Sequence, residues 1–157
     1  MKLSTKGRYA VMAMVDLASH SKGNPVALAD IAERQEISLS YLEQLFARLR
    51  RAELVRSVRG PGGGYRLARA SSETRVSEII LAVDEPISAT RCTEMGTPGC
   101  RTDRSKCLTH DLWEELGNQI HMFLSSVTLA DVLERRITPR LAEAPTPASN
   151  DSMAAAS

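Results

Sequence analysis

Four residues with metal-ligand chemistry fall within nineteen positions: Cys92, Cys100, Cys107 and His110, spaced Cys-x7-Cys-x6-Cys-x2-His. Thiolates are soft ligands that suit zinc, copper(I) and iron–sulfur clusters, and an imidazole can supply the fourth bond. Three cysteines cannot all pair within one chain. In a reducing compartment, clustered cysteines more often bind metal or do redox chemistry than form structural disulfides. Cys107 and His110, three residues apart at a predicted helix start, project from one face, and a loop can bring the other two round. Structural zinc sites commonly use two tight cysteine pairs; the wide gaps here suit a bulkier centre such as a cluster. Taken singly, a loop cysteine carries nothing and His110 is a helix-end cation. Four such residues in a stretch with no core role favour a metal site.

The elements that must position them follow from periodicity. From Ile87 to Lys106 the apolar period disappears, and the segment is rich in Thr, Gly, Arg and Cys; long irregular loops are commonly functional. A long helix begins around Leu108 or Thr109, with Leu112, Leu116, Ile120, Phe123 and Val127 close to a heptad seam. Leu108 and Leu124 widen the stripe, and Trp113 adds an aromatic. Such a helix finds a partner chain, folds back on the first helix, or does both. Thr128 and Asp131 cap a last short helix through Arg136, and the Pro-, Ala- and Ser-rich residues 138–157 read as a disordered tail.

Upstream, Ser4 or Thr5 caps a first helix that is apolar on nearly all sides (Ala10 to Val15, Leu17) and is expected to be largely buried. Lys6, Arg8 and Tyr9 stand at its start, facing phosphate or merely solvent. Gly23, Asn24 and Pro25 break it. A second helix follows in VALADIAERQ with Leu28, Ile31 and Ala32 inward, and Ile37 is placed to plug the tight connection to a third. That third helix, ISLSYLEQLFARLRR, buries Leu42, Leu45, Phe46 and Leu49 on one face. Ser38 or Ser40 caps it, and Ser40 with Glu43 fits a capping box. Two helices so joined make a helix-turn-helix, with an ordinary helical hairpin as the plainer alternative.

The outer face carries Ser38, Ser40, Tyr41, Glu43 and Gln44 near its start and Arg48, Arg50 and Arg51 behind. A helix entering a major groove needs base-reading groups first and phosphate-binding ones after. Glu43, an acceptor, pairs with a cytosine amino group and repels sites lacking that donor. Strands at Leu54–Val58 and Tyr65–Leu67 flank RGPGGG, a hairpin tip placed as a wing, where Arg59 and Gly60 approach a minor groove. This is no nucleotide loop, because it lacks the terminal Gly-Lys-Ser/Thr and no helix opens after it. A fourth helix, Val76 to Val83, turns Ile79, Ile80 and Val83 inward and is ended by Asp84, Glu85 and Pro86.

Charge agrees with a polyanionic partner. Residues 1–69 hold 12 Lys or Arg against 6 Asp or Glu, whereas residues 70–157 hold 8 against 13. No apolar run approaches membrane-spanning length, and the first ten residues lack a signal peptide's features, so a cytoplasmic protein without membrane contact is expected. There is no Cys-x-x-Cys pair, HExxH helix or nucleophile elbow, which argues against an enzyme.

Long strings then carry a resemblance: LSTKGRYAV at the start, ISLSYLEQLFARLR, SVRGPGGGY in the wing, and AVDE, ATRC and KCLTH around the cysteines. Over about residues 1–135 the chain resembles the bacterial winged-helix regulators of iron–sulfur cluster biogenesis. The resemblance implies a mainly α fold: a winged helix-turn-helix with a two-stranded β wing and a long C-terminal dimerisation helix. It implies a homodimer that binds double-stranded promoter DNA and represses, or sometimes activates, cluster-assembly genes. It also implies a [2Fe–2S] cluster on Cys92, Cys100, Cys107 and His110, delivered by the cluster-assembly machinery, whose occupancy changes the sites bound. The cysteine gaps are wider than the family pattern. Structural zinc or a nitric-oxide-sensing cluster on the same winged helix is the alternative, with an iron–sulfur or thiol enzyme behind it. The expected division is 1–84 for DNA binding, 85–107 for the cluster loop, 108–137 for the dimerisation and last helices, and 138–157 for the tail.

Overall fold

The computed structural model describes residues 4–87, 101 and 105–137; Cys92, Cys100 and the tail from 138 lie outside them. Helix α1 (Thr5–His20) is capped by Ser4, whose hydroxyl accepts the Lys6 N–H at 3.2 Å. It buries Gly7, Ala10, Ala13, Met14, Asp16 and Leu17, while Val11, Met12 and Val15 are half-buried. The helix is therefore covered on one side rather than all round, because the other elements approach from that side. Helix α2 (Leu28–Gln35) stops at Glu36, whose left-handed backbone (φ 54°) turns the chain and drops Ile37, 5% exposed, into the core.

Helix α3 (Leu39–Arg51) buries the four residues its period selects, Leu42, Leu45, Phe46 and Leu49. Its cap is Ser38, which accepts the Tyr41 N–H at 3.3 Å. Ser40 thus lies inside the first turn, and the Ser40–Glu43 box does not form. Three residues beyond the true cap stands Tyr41, which has no carboxylate to reciprocate.

Strands β1 (Val55–Val58) and β2 (Gly64–Leu67) pair antiparallel, Val55 opposite Leu67 and Val58 opposite Gly64. Val26 and Tyr65 exchange backbone hydrogen bonds at 2.8 Å in both directions, pinning the hairpin to the residue ahead of α2. Gly64 allows this approach, since a Cβ there would lie 2.3 Å from the Val26 carbonyl oxygen. The Tyr65 ring meets Phe46 edge-on at 5.0 Å, so the wing packs on the core side of α3.

After a 3-10 turn at Ser71–Glu73 comes α4 (Val76–Ala82), with Ile79, Ile80 and the capping Val83 buried as expected. Helix α5 (His110–Ser126) packs on α4, where the Ser125 hydroxyl donates to Ser77 at 3.0 Å. Helix α6 (Leu129–Leu133) opens with reciprocal bonds between Thr128 and Asp131. It ends short of Arg136 because Arg135 turns left-handed (φ 53°). Between α5 and α6 the chain pairs with the start of α4, Val76 N–H to Val127 and Leu129 N–H to Thr74, both at 3.0 Å. Leu129 is fully buried in the same core as α1 to α4. Residue 129 thus packs with the winged helix, not with α5 alone.

Within α5 the buried residues are His110 and Gly117. Leu112, Met122 and Phe123 are 61%, 63% and 40% exposed, and Leu116 and Ile120 are half-buried. Of the apolar seam, Leu112 and Phe123 are exposed, Leu116 and Ile120 half-buried and Val127 buried.

One buried charge locks α1 to α2. The Asp16 side chain, 1% exposed, accepts Arg34 Nε at 3.0 Å, Arg34 Nη2 at 2.6 Å and Gln35 Nε2 at 2.7 Å. Burial pushes its carboxyl up, but the Arg34 and Gln35 hydrogen bonds and the Arg34 charge outweigh that and hold it below the ordinary 3.8. A carboxyl depressed on folding contributes stability above its ordinary value and loses it as pH falls through the lower folded one. Arg34→Ala strands the carboxylate in the core. It should cost about 2–3 kcal/mol in denaturant unfolding at neutral pH and move acid unfolding to higher pH.

Candidate nucleic-acid interface and metal-ligating segment

Burial of the apolar face of α3 leaves Ser40, Glu43 and Gln44 exposed on its opposite side, at the N-terminal half. Ser38 is exposed too, but its hydroxyl is committed to the cap. Tyr41 is half-buried and meets Tyr9 of α1 edge-on, ring centroids 6.1 Å apart. Both tyrosines therefore tie α1 to α3 as well as bordering the outer face. Arg50 and Arg51 are exposed on the last turn. Arg48 departs from the expected outward set: its guanidinium turns sideways to pair with Asp84 and to donate to the Val83 carbonyl at 3.5 Å. At the wing tip Arg59 and Gly60 are exposed, and Gly60 holds a left-handed φ of 103° that favours glycine.

The hairpin register adds two cations the sequence reading did not single out. Arg56 and Arg66 stand directly opposite one another on the exposed side of the wing. Like charges so placed are unfavourable alone and suit a surface that meets phosphate. Arg56 also lines a shallow cleft with Arg50 and Arg69, between the end of α3 and the hairpin. Cross-strand register, which sequence alone leaves open, is the signal that pairs them.

The start of α1 already holds an anion. Glu85 accepts the Ser4 N–H at 2.6 Å through Oε1, and the Gly7 N–H at 2.7 Å and the Ser4 hydroxyl through Oε2. Burial pushes this carboxyl up, but those three donors and the nearby Lys6 charge outweigh it and keep it below the ordinary 4.5. Lys6 and Tyr9 remain available beside it, both half-buried.

Of the four candidate ligands, the described residues include Cys107 and His110. The His110 N–H donates to the Cys107 carbonyl at 3.0 Å, closing a backbone turn between the two residues. Thr109 caps α5, so Cys107 lies just ahead of the helix; it shares a turn with His110 rather than a helical face. Thr109 fastens this turn to the helix: its hydroxyl accepts Trp113 Nε1–H at 3.1 Å and lies 3.6 Å from Cys107 Sγ. His110 is 7% exposed, with Nε2 3.7 Å from Glu114 Oε2. Donor atoms of His110, Asp111 and Glu114 lie within 4.8 Å of one another, but both carboxylates are exposed and stand 3.9 Å from Lys106 Nζ. A thiol and an imidazole on one turn fit an iron–sulfur or zinc centre; carboxylates alone would suit harder cations.

No described helix is long and apolar enough to cross a membrane. A family model for iron-dependent transcriptional regulators, Rrf2, matches residues 3–135. The HTH-type transcriptional regulator IscR of Photorhabdus laumondii is 57% identical over 136 residues, covering 87% of this chain and 81% of that protein. Among solved structures, T. potens IscR is 40% identical with a TM-score of 0.69, covering 92% of this chain and 94% of that one. CymR, the global cysteine regulator of B. subtilis, is 34% identical with a TM-score of 0.71, covering 86% and 98%. These relatives are named as regulators rather than enzymes, and their winged helix is the fold described above. The chain belongs to the Rrf2 family and is a DNA-binding transcriptional regulator of the IscR type.

Proposed function

We propose that this regulator senses iron–sulfur cluster supply through a [2Fe–2S] cluster on Cys92, Cys100, Cys107 and His110. On this reading it is a cytoplasmic homodimer that takes its cluster from the assembly machinery. It controls cluster-assembly genes at their promoters, mainly by repression. The observation that carries it is the turn joining Cys107 to His110 at the head of α5, a helix that keeps Leu112 and Phe123 of its apolar seam exposed. A cluster, when bound, supplies a four-point tie between the cysteine segment and that turn. His110 would hold it as a neutral imidazole, which protonation can displace, so its bond is weaker than a thiolate's. Cys107 and His110 thereby fix where α5 begins. Leu112, Leu116, Ile120 and Phe123 then offer a second copy the stripe that coiled helices bury. Ser40, Glu43 and Gln44 read base edges, Lys6, Tyr9, Arg50 and Arg51 hold phosphates, and Arg59 with Gly60 enters the minor groove.

Cys92→Ala, Cys100→Ala and Cys107→Ala should each abolish visible cluster absorbance after anaerobic purification while the protein stays helical and dimeric. A variant that keeps full iron and sulfide is not missing a ligand. His110→Ala should shorten the cluster's half-life in air, and an unchanged half-life rules out that bond.

For DNA, Arg59→Ala should weaken binding to every site, most where the minor groove is narrow. Removing Arg50 or Arg51 should reduce the slope of log affinity against log salt by about one without altering site choice. If neither variant changes the slope, the phosphate-contacting surface is elsewhere, with Arg56 and Arg66 the next to test.

A further inference from the structure

Val83 closes α4, and Asp84 then takes the chain through the left-handed region at φ 56°. The turn sends two consecutive carboxylates to different helices. Asp84 pairs with Arg48 on the flank of α3, and the same guanidinium reaches the Val83 carbonyl. Glu85 reaches the first turn of α1 and takes the Ser4 and Gly7 N–H groups and the Ser4 hydroxyl. Contact there is close enough that a Cβ on Gly7 would come 2.7 Å from Glu85 Oε2.

The third side of this arrangement is aromatic. Tyr9, one turn into α1, meets Tyr41 in the first turn of α3. Tyr41 and Arg48 are separated by about two helical turns, which puts both on one flank of α3. The recognition helix is thus gripped at both ends of that flank. Both grips lead to the start of α1, one directly and one through Asp84–Glu85. Stability does not account for the ion pair, because Asp84 is 76% and Arg48 38% exposed, and such pairs add little. What it can set is position.

We propose that Asp84 and Glu85 are positioning residues that set DNA sequence specificity. They fix the rotation of α3 relative to the start of α1, and so determine which base edges Ser40, Glu43 and Gln44 meet while Lys6 and Tyr9 keep the phosphate register. The same two residues lie on the chain that leads from α4 toward the cysteine segment. Just beyond them, Ile87 packs on the cluster of Val76, Ile80 and Val127. A change in that segment is therefore delivered to both DNA-facing helices at once. This second step rests on the cluster-sensing reading; the first does not.

The test compares metal-free full-length wild type with Asp84→Asn, Asp84→Glu, Glu85→Gln and Gly7→Ala. The last crowds the carboxylate off α1 while leaving it charged. The probes are a duplex enriched by wild type from a randomised library and a scrambled duplex of equal composition. In Asp84→Asn, Glu85→Gln and Gly7→Ala the selected-to-scrambled affinity ratio should fall about tenfold, the worth of one well-aimed base contact. Melting should stay within about 3 °C of wild type, and Asp84→Glu should retain most of the ratio. Variants that melt like wild type and keep its full ratio overturn the proposal. Equal loss on both duplexes with a lowered melting temperature does so too, since that marks a merely structural role. The comparison is then repeated after anaerobic loading with iron and sulfide. A wild-type ratio indifferent to loading sinks the cluster-sensing reading and leaves the positioning role standing. A loading effect undiminished in the variants removes the transmission step instead.

Discussion

Everything on the DNA-facing side depends on how α3 is held. A helix that offers one face to a partner has only its other face with which to anchor itself. Leu42, Leu45, Phe46 and Leu49 therefore carry that burden, at 0 to 2% exposure. Removing a buried ring such as that of Phe46 costs about 3–5 kcal/mol, a large share of a small domain's stability. The same ring receives Tyr65, and Tyr65 is hydrogen-bonded to Val26 ahead of α2. One apolar face thus orients the recognition helix, the wing and the preceding helix together.

The apolar core fixes the depth of α3 and which face it turns inward, and leaves small rotations about its axis less constrained, because hydrophobic burial is not directional. Directional contacts supply the rest: the Tyr9–Tyr41 edge contact and the Arg48–Asp84 pair. An exposed ion pair contributes about 0–1 kcal/mol, small beside the core. A rotation of a few degrees nevertheless decides which base edge a short side chain reaches. Contacts negligible for stability can therefore govern recognition.

Sequence period made the helices legible because three or four apolar residues at helical spacing leave little freedom of assignment, as in α3 and in Ile79, Ile80 and the capping Val83 at α4. The turn RGPGGG was legible for a chemical reason, glycine's access to positive φ. What escaped were contacts between residues far apart in the chain. Asp16 falls within an otherwise apolar helix, and its role lies in Arg34 and Gln35, which come 18 and 19 residues later. Glu85 read as a helix terminator until Ser4 and Gly7, 81 and 78 residues away, closed on it. The arginine pair Arg56 and Arg66 needed strand register. The cap of α3 was ambiguous between two serines because both have the right chemistry, and only backbone geometry separates them. The four metal-ligand candidates were legible as types at a spacing, and Cys107 and His110 do share a turn.

The position of that turn is itself informative. A metal ligand in the middle of a packed helix would hold an element that the core already holds, and losing the metal would change little. Cys107 instead lies just ahead of α5 and His110 is its first residue, where helix N–H groups lack internal partners. Further along, Leu112 and Phe123 of the apolar seam are exposed, while the far end is fastened to the winged helix through Val127, Thr128 and Leu129. A tie at the start of a helix whose other end is fastened to the winged helix bears directly on how that helix lies. The Ser125 hydroxyl at the end of α5 bonds Ser77 of α4, and just past the end of α4 Asp84 and Glu85 meet α3 and α1. On the proposed cluster-sensing reading, a weak, reversible bond at this turn would act on a helix that packs against α4.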